Sequence, residues 1–242
     1  MALEGRIVIE KALEAKSEII GLLCSEGSAG DWLRGEAGTF PIERISHDKL
    51  CEIVGFRFHH GAIALAKRPE LRPFDPGIAA ETNQEKNAES GAYLCLWEVT
   101  DPSNVGALIR SAAGLGAAGV LLGPGCADPY YRKALRASMG NAFSLPLHAC
   151  DTSTIASLAD RGFEAVAATL SPAAIPLHAC VPNRPFVLIV GNEGFGIPAD
   201  IAALCRSEVY IPMAAGVDSL NVVVAGGICM YELFEKKAFT RP

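Results

Sequence analysis

From residue 91 onward, short and largely apolar runs alternate with segments of helical periodicity, and few folds accommodate that pattern. The runs at Tyr93–Val99, Gly119–Leu122, Phe163–Thr169, Phe186–Val190 and Val209–Ile211 read as strands. The segments at Val105–Leu115, Tyr130–Ala137, Ser153–Asp160 and Leu220–Lys236 read as helices. Strands that are apolar throughout, rather than every second residue, are covered on both faces, which implies a parallel sheet between helices. In such sheets ligands gather beyond the carboxyl ends of the strands. The loops after Val99, Thr169, Val190 and Ile211 are therefore where chemistry is expected.

Residues 1–68 form a separate alternating unit. A helix over RIVIEKALEAK, a strand over EIIGLLCS, a short helix at Asp31–Arg34, a strand at Ile42–Ile45, a helix opened by Ser46 and a strand GAIALA make a small α/β domain. Residues 69–90 hold three prolines and several charges with little periodicity, which is linker composition, and leave 91–242 as the larger domain. No apolar run reaches the roughly 18 residues needed to span a bilayer. Glu4, Glu10 and Glu14 interrupt any secretory core, so a soluble cytoplasmic protein is expected. The eight cysteines include no CxxC pair, and several sit in apolar runs, as reduced core residues do. A net charge of −6 argues against an indiscriminate nucleic-acid coat but leaves room for a local basic site.

Four loops carry the polar residues. After Val99 comes TDPSNVGALIRSAAGLGA, with Asn104 and Arg110 on the first turns of a helix; Arg110 is less than two turns from Asn104 and within reach of the strand end. LSPAAIP follows Thr169 and is nearly devoid of polar groups. GNEGFGIP follows Val190; its glycines permit close backbone approach to a ligand, and Glu193 suits a ligand of some positive character. It is neither a phosphate loop, since no Lys-Ser/Thr follows, nor a dinucleotide fingerprint. After Ile211 comes PMAAGVDSLNVVV. Asp218 or Ser219 suits a helix N-cap, while Asn221 in the first turn is a second polar side chain that capping alone does not require.

DPSNVGALIRSAAGLGA, VLIVGNEGFGIP and VYIPMAAGVDSLNVVVAGGICMYE resemble, in order, the three motifs of the SpoU (TrmH-like) RNA 2'-O-ribose methyltransferases of the SPOUT class. YYRKALRASMGNAFSLPL resembles the segment between the first two, so the likeness covers roughly residues 93–234. LEGRIVIEKAL and HHGAIALA are similar, more weakly, to the L30e-like substrate-binding domain often fused in front, with little room before LEG for that domain's first strand. The resemblance implies a deep C-terminal trefoil knot, which general topology rules would disfavour. It further implies a homodimer with active sites at the subunit interface, and S-adenosylmethionine bound in the knot. Matched residue by residue, cofactor contacts fall on Leu170, Gly191, Ile211, Met213 and Leu220, and catalytic positions on Asn104, Arg110, Glu193, Ser219 and Asn221. Val223 stands where the family commonly has serine, a packing change.

The implied reaction moves a methyl group from a sulfonium to a ribose 2'-hydroxyl, which needs a base or an alkoxide stabiliser within hydrogen-bond reach. Arg110 is the family's candidate, although a guanidinium rarely gives up a proton. Either a nearby phosphate or burial helps it act as base, or it stays cationic and stabilises the alkoxide; the second is physically preferable. Asn104 and Glu193 would orient the guanidinium, and Ser219 and Asn221 would hold the ribose or the end of the cofactor. No metal is needed, and no ligand set is evident. His59 and His60 point to opposite faces of a presumed strand and read as structural. Tyr130, Arg132, Lys133 and Arg136 place cations beside an aromatic ring, which suits a single-stranded or splayed ribose substrate; the alternative is an ordinary solvated helix face. Within residues 1–90, 11 basic side chains face 15 acidic ones, so a recognition domain there would work by local shape. The RNA target is ribosomal or transfer RNA, with the N-terminal domain tilting toward the former. The rival reading is a non-catalytic RNA-binding or ribosome-assembly protein, against which the intact set of five catalytic positions weighs. A nicotinamide dehydrogenase lacks its glycine fingerprint here.

Overall fold

The computed structural model describes residues 1–25, 39–55, 61–77, 91–183, 185–217 and 219–234. The helix expected at 31–34, the pair His59 and His60, most of the linker, Asp218 and the end of the last helix lie outside the described residues.

Two sheets are present among the described residues. The smaller is built from β1 (Ala2–Glu4), β2 (Ile19–Ser25), β3 (Ile42–Ile45) and β4 (Ala62–Ala66), in the order β1-β4-β2-β3. β1 and β2 run antiparallel to β4, and β3 runs parallel to β2. Helix α1 (Arg6–Glu14) follows β1, and α2 (His47–Val54) is capped by Ser46, whose hydroxyl accepts from Lys49 N–H at 3.3 Å. The first strand thus exists, in three residues directly before the Gly5 turn.

The larger sheet has eight strands: β5 (Arg72–Pro73), β6 (Ala92–Leu96), β7 (Gly119–Leu122), β8 (Leu147–Ala149), β9 (Glu164–Ala168), β10 (Ile175–Pro176), β11 (Phe186–Val190) and β12 (Ser207–Tyr210). Their order is β10-β12-β9-β11-β6-β7-β8-β5, and every neighbouring pair is parallel. Helices α3 (Pro102–Gly114), α4 (Arg132–Ala137), α5 (Thr152–Ser157), α6 (Ala199–Ala202) and α7 (Val222–Phe234) accompany it. The stretch read as linker contributes to this sheet. Arg72 and Pro73 pair with His148 and Ala149, and Phe74 is buried against Tyr93 at 5.1 Å and Phe163 at 5.9 Å. A proline is tolerated on an edge strand, where its missing N–H costs no ladder bond, so the composition hid the strand.

Helix α3 is held against both of its neighbours by missing side chains. A Cβ at Gly106 would stand 2.2 Å from the carbonyl oxygen of Ala134 on α4. A Cβ at Gly226 on α7 would stand 2.6 Å from Leu108 Cδ2 on α3. The two sheets share one apolar core, in which Leu3, Val8 and Ile9 join Leu135 and Ala142. Polar contacts reinforce the seam: Lys11 Nζ donates to Asn141 Oδ1 at 2.6 Å, and Arg68 spans both carboxylate oxygens of Asp128 at 3.0 Å.

Candidate active site

β6 lies centrally in its sheet, with β7 on one side and β11 on the other, so the strand order reverses between β6 and β11. The loops leaving these two strands meet at the carboxyl end of the sheet, where ligands gather in such folds. Trp97 N–H bonds Val190 O at 2.9 Å, which continues the pairing of the two strands.

The loop after β11 is a tightly specified turn. Asn192 exchanges both backbone hydrogen bonds with Gly196, at 3.1 and 2.9 Å. Its Oδ1 accepts from Gly194 N–H at 2.8 Å and Phe195 N–H at 3.2 Å, and its Nδ2 donates to Glu98 O at 2.9 Å. Glu98 itself has a positive φ of 56°. A Cβ at Gly191 would fall 2.4 Å from the backbone of Gly196, so only glycine closes this turn. The turn delivers Glu193 to α3, where its Oε1 accepts from Asn104 Nδ2. The N-terminal end of α3 is fixed by Asp101, which accepts from Ser103 N–H at 2.6 Å, and by Pro102 in the first turn. That bond, and then the charge of Lys133, hold the Asp101 carboxyl below its usual range.

Beside this pair lies a cleft of about 680 Å³. Leu170, Gly191, Ile211, Met213 and Leu220 all line it, together with Glu193 and Ser219. Its walls carry two carboxylates, Glu193 and Glu208, and no lysine, arginine or histidine among the described residues. Glu208 Oε2 accepts from Thr169 Oγ1 at 2.9 Å. Cys229 at its base is buried, and burial pushes that thiol up to about 12.

The structure therefore brings together Asn104, Glu193, Ser219 and the five cofactor candidates; Glu193 and Ser219 line the cleft, Asn104 joins it through Glu193, and Arg110 and Asn221 stand outside its wall. Arg110 is exposed and forms no hydrogen bond or ion pair among the described residues. Six helical residues place it about 120° around the α3 axis from Asn104, so proximity in sequence did not mean a shared face. Asn221 is the N-cap of α7: its Oδ1 accepts from Val223 N–H at 2.9 Å. The helix begins two residues later than expected, and Asn221 takes the capping role assigned to Asp218 or Ser219.

The RNA-binding candidates are already engaged. Arg132 and Arg136 reach the two oxygens of Glu4 at 3.1 and 3.6 Å, and Lys133 reaches Asp101 at 3.4 Å. The Glu4 side chain is 0 % exposed while both arginines are about half exposed, so the cations tie the small sheet to α4 and still face solvent. Sequence reasoning missed Asn192, the Thr169–Glu208 pair and Phe195, which is 91 % exposed on the cleft rim. An asparagine directly after a glycine, in the run Gly191-Asn192-Glu193-Gly194, is a recognisable turn former. Glu208 carried no signal, being one polar residue in a strand.

Residues 91–231 match the profile described as the SpoU rRNA Methylase family. The chain is similar to the 23S rRNA (guanosine(2553)-2'-O)-methyltransferase RlmP of Bacillus subtilis, with 34 % identity over 232 residues, 96 % of this chain and 87 % of the relative. Among solved structures it is similar to an RNA 2'-O ribose methyltransferase at 28 % identity and a TM-score of 0.74, covering 96 % of this chain and 86 % of the other. The fold is also that of AviRb, a SpoU methyltransferase of Streptomyces viridochromogenes solved with AdoMet, at 23 % identity, a TM-score of 0.75 and coverage of 96 % and 88 %. With the match spanning more than half its length and that identity to RlmP running nearly end to end, the chain belongs to the SpoU rRNA methylase family.

Proposed function

We propose that the protein transfers a methyl group from S-adenosylmethionine to a ribose 2'-hydroxyl of RNA, with ribosomal RNA the preferred target. The observation that carries this reading is the Asn104–Glu193 hydrogen bond at the mouth of a cleft lined by Leu170, Gly191, Ile211, Met213 and Leu220. The cleft fits the cofactor. Its volume of about 680 Å³ lies inside the roughly 300–1,000 Å³ range of small-molecule sites. Its acidic walls suit a cation, and the bare Gly191 backbone permits close approach.

When bound, S-adenosylmethionine supplies a methyl group on a cationic sulfur. Asn104 holds one carboxylate oxygen of Glu193 and so fixes the acidic edge of the cleft beside the incoming ribose. Arg110 stabilises the developing alkoxide with its fork of N–H donors. The hydroxyl proton leaves to an RNA phosphate or water as the carbon–oxygen bond forms and the carbon–sulfur bond breaks. Ser219 on the cleft wall and Asn221 at the start of α7 hold the ribose or the cofactor's end.

Arg110 reaches this site in a homodimer. Val224, Ile228 and Tyr231 stand on one face of α7 at i, i+4 and i+7, and all three are exposed, Tyr231 at 63 %. An apolar stripe on the helix that packs against α3 is what a second copy would cover, bringing one protomer's Arg110 to the other's cleft. A trefoil knot is in keeping with the strand order: the chain leaves β11, passes β9 to form β12, and returns to pack α7 on α3. The small sheet is the L30e-like recognition module, and α4 with Arg132, Lys133 and Arg136 continues its RNA-facing surface.

Incubation with tritiated cofactor and bulk ribosomal or transfer RNA tests the reading. Wild type incorporates label, and Arg110→Ala lowers incorporation at least about a hundredfold while binding the cofactor normally by calorimetry. Absence of both incorporation and cofactor binding in the wild type would leave an RNA-binding protein without catalysis.

A further inference from the structure

Glu208 faces the cleft from β12 and takes no part in the transfer chemistry above. Its orientation is built. Thr169 Oγ1 donates to its Oε2 at 2.9 Å, and the same Oγ1 accepts from Ser171 N–H at 3.2 Å, so both proton and lone pair of the hydroxyl are committed. Glu208 Oε1 makes no hydrogen bond among the described residues, and the side chain forms no ion pair with any of them. The other carboxylate on the wall, Glu193, is engaged by Asn104 at the mouth. Among the described residues this is an oriented, half-buried and unneutralised carboxylate inside a cleft without a basic side chain, and it acts on the charge of whatever enters.

We propose that Glu208 is a cofactor-binding residue that makes the cleft prefer the cationic sulfonium cofactor over its thioether product. The inference rests on the methyl-transfer reading. The two ligands share the adenosine, the ammonium and the carboxylate; they differ in the methyl group and in one positive charge on sulfur. A carboxylate on the wall favours the charged form, so the pocket loads with methyl donor and releases the product once the charge is gone. Packing and hydrogen bonds to the shared parts cannot make that distinction. Thr169 serves as the positioning residue, keeping the carboxylate turned into the cleft.

Calorimetric titration of wild type, Glu208→Gln and Glu208→Asp with S-adenosylmethionine, S-adenosylhomocysteine and adenosine tests this. Glu208→Gln weakens the sulfonium ligand roughly three- to tenfold, as expected for a partly exposed charge. It leaves the thioether and adenosine within about twofold, and Glu208→Asp keeps the wild-type preference. Thr169→Val, which frees the carboxylate to turn away, lowers the same ratio by a smaller factor and serves if the glutamine variant does not fold. An equal loss for all three ligands, or an unchanged ratio, would overturn the proposal while leaving methyl transfer standing. Failure of the wild type to bind either the sulfonium or the thioether would overturn both.

Discussion

Single side chains decide how the turn after β11 is built, and they differ in how far the sequence reveals them. The glycines of GNEGFG announce a tight turn, and Gly191 has no space for a Cβ, as such a motif leads one to expect. That Asn192 reaches across to the carbonyl of Glu98 is visible only once β6 and β11 are neighbours, because the two residues are 94 apart in the chain. Cysteines are legible by contrast: scattered in apolar runs, they are buried or half-buried free thiols. Burial pushes Cys126 up to about 11 and Cys205 and Cys229 up to about 12. Each is raised above the ordinary 9.0 that it regains on unfolding, so its contribution is complete below about pH 9 and lost as pH climbs toward 11–12. Stability then falls by up to roughly 1.4 kcal/mol per pH unit for each thiol. Urea unfolding at pH 8 and pH 10 measures this, and equal midpoints would refute it.

At the scale of elements, the strands that carry the site were readable because a parallel strand buried on both faces is a run of apolar residues, as at Phe186–Val190 and Gly119–Leu122. β5, β8 and β10 were not. They are two or three residues long, and two of them contain proline, so no periodicity can develop. The start of α7 was misplaced by two residues because Asp218, Ser219 and Asn221 are all competent caps, and local sequence cannot rank them. The bond from Val223 N–H to Asn221 Oδ1 gives Asn221 a structural task besides the one proposed in catalysis. The two tasks separate experimentally. Asn221→Ala loses about 1 kcal/mol of stability, whereas Asn221→Ser caps nearly as well and stays within a few tenths. Both variants lose at least about tenfold in methyl transfer, because serine lacks the amide. Full activity in Asn221→Ser, with thermal unfolding unchanged, would reduce Asn221 to a cap.

For the whole molecule, the place of Arg110 outside the cleft wall of its own chain is what its spacing from Asn104 alone did not reveal. Motif order places Asn104, Arg110, Glu193, Ser219 and Asn221 in one family pattern, yet within one chain only Asn104 and Glu193 are hydrogen-bonded to each other. In the homodimer proposed above, a second copy seated on the exposed stripe of α7 would resolve this. Ile228→Glu puts a charge in the middle of that stripe, where burial without a partner costs several kcal/mol. The variant is expected to sediment as a monomer, to fold normally by circular dichroism and to lose methyl transfer. A dimeric or fully active Ile228→Glu would place the interface elsewhere.

Which atom of the RNA receives the methyl group decides whether the protein is a ribose methyltransferase. RNA labelled by the wild-type protein with tritiated cofactor, then hydrolysed in alkali, answers this directly, because a 2'-O-methylated ribose has no free hydroxyl to cleave its neighbouring phosphodiester. The label is expected in alkali-resistant dinucleotides and to vanish with Arg110→Ala. Label released wholly as alkali-sensitive mononucleotides, with the methyl on a base, would contradict it.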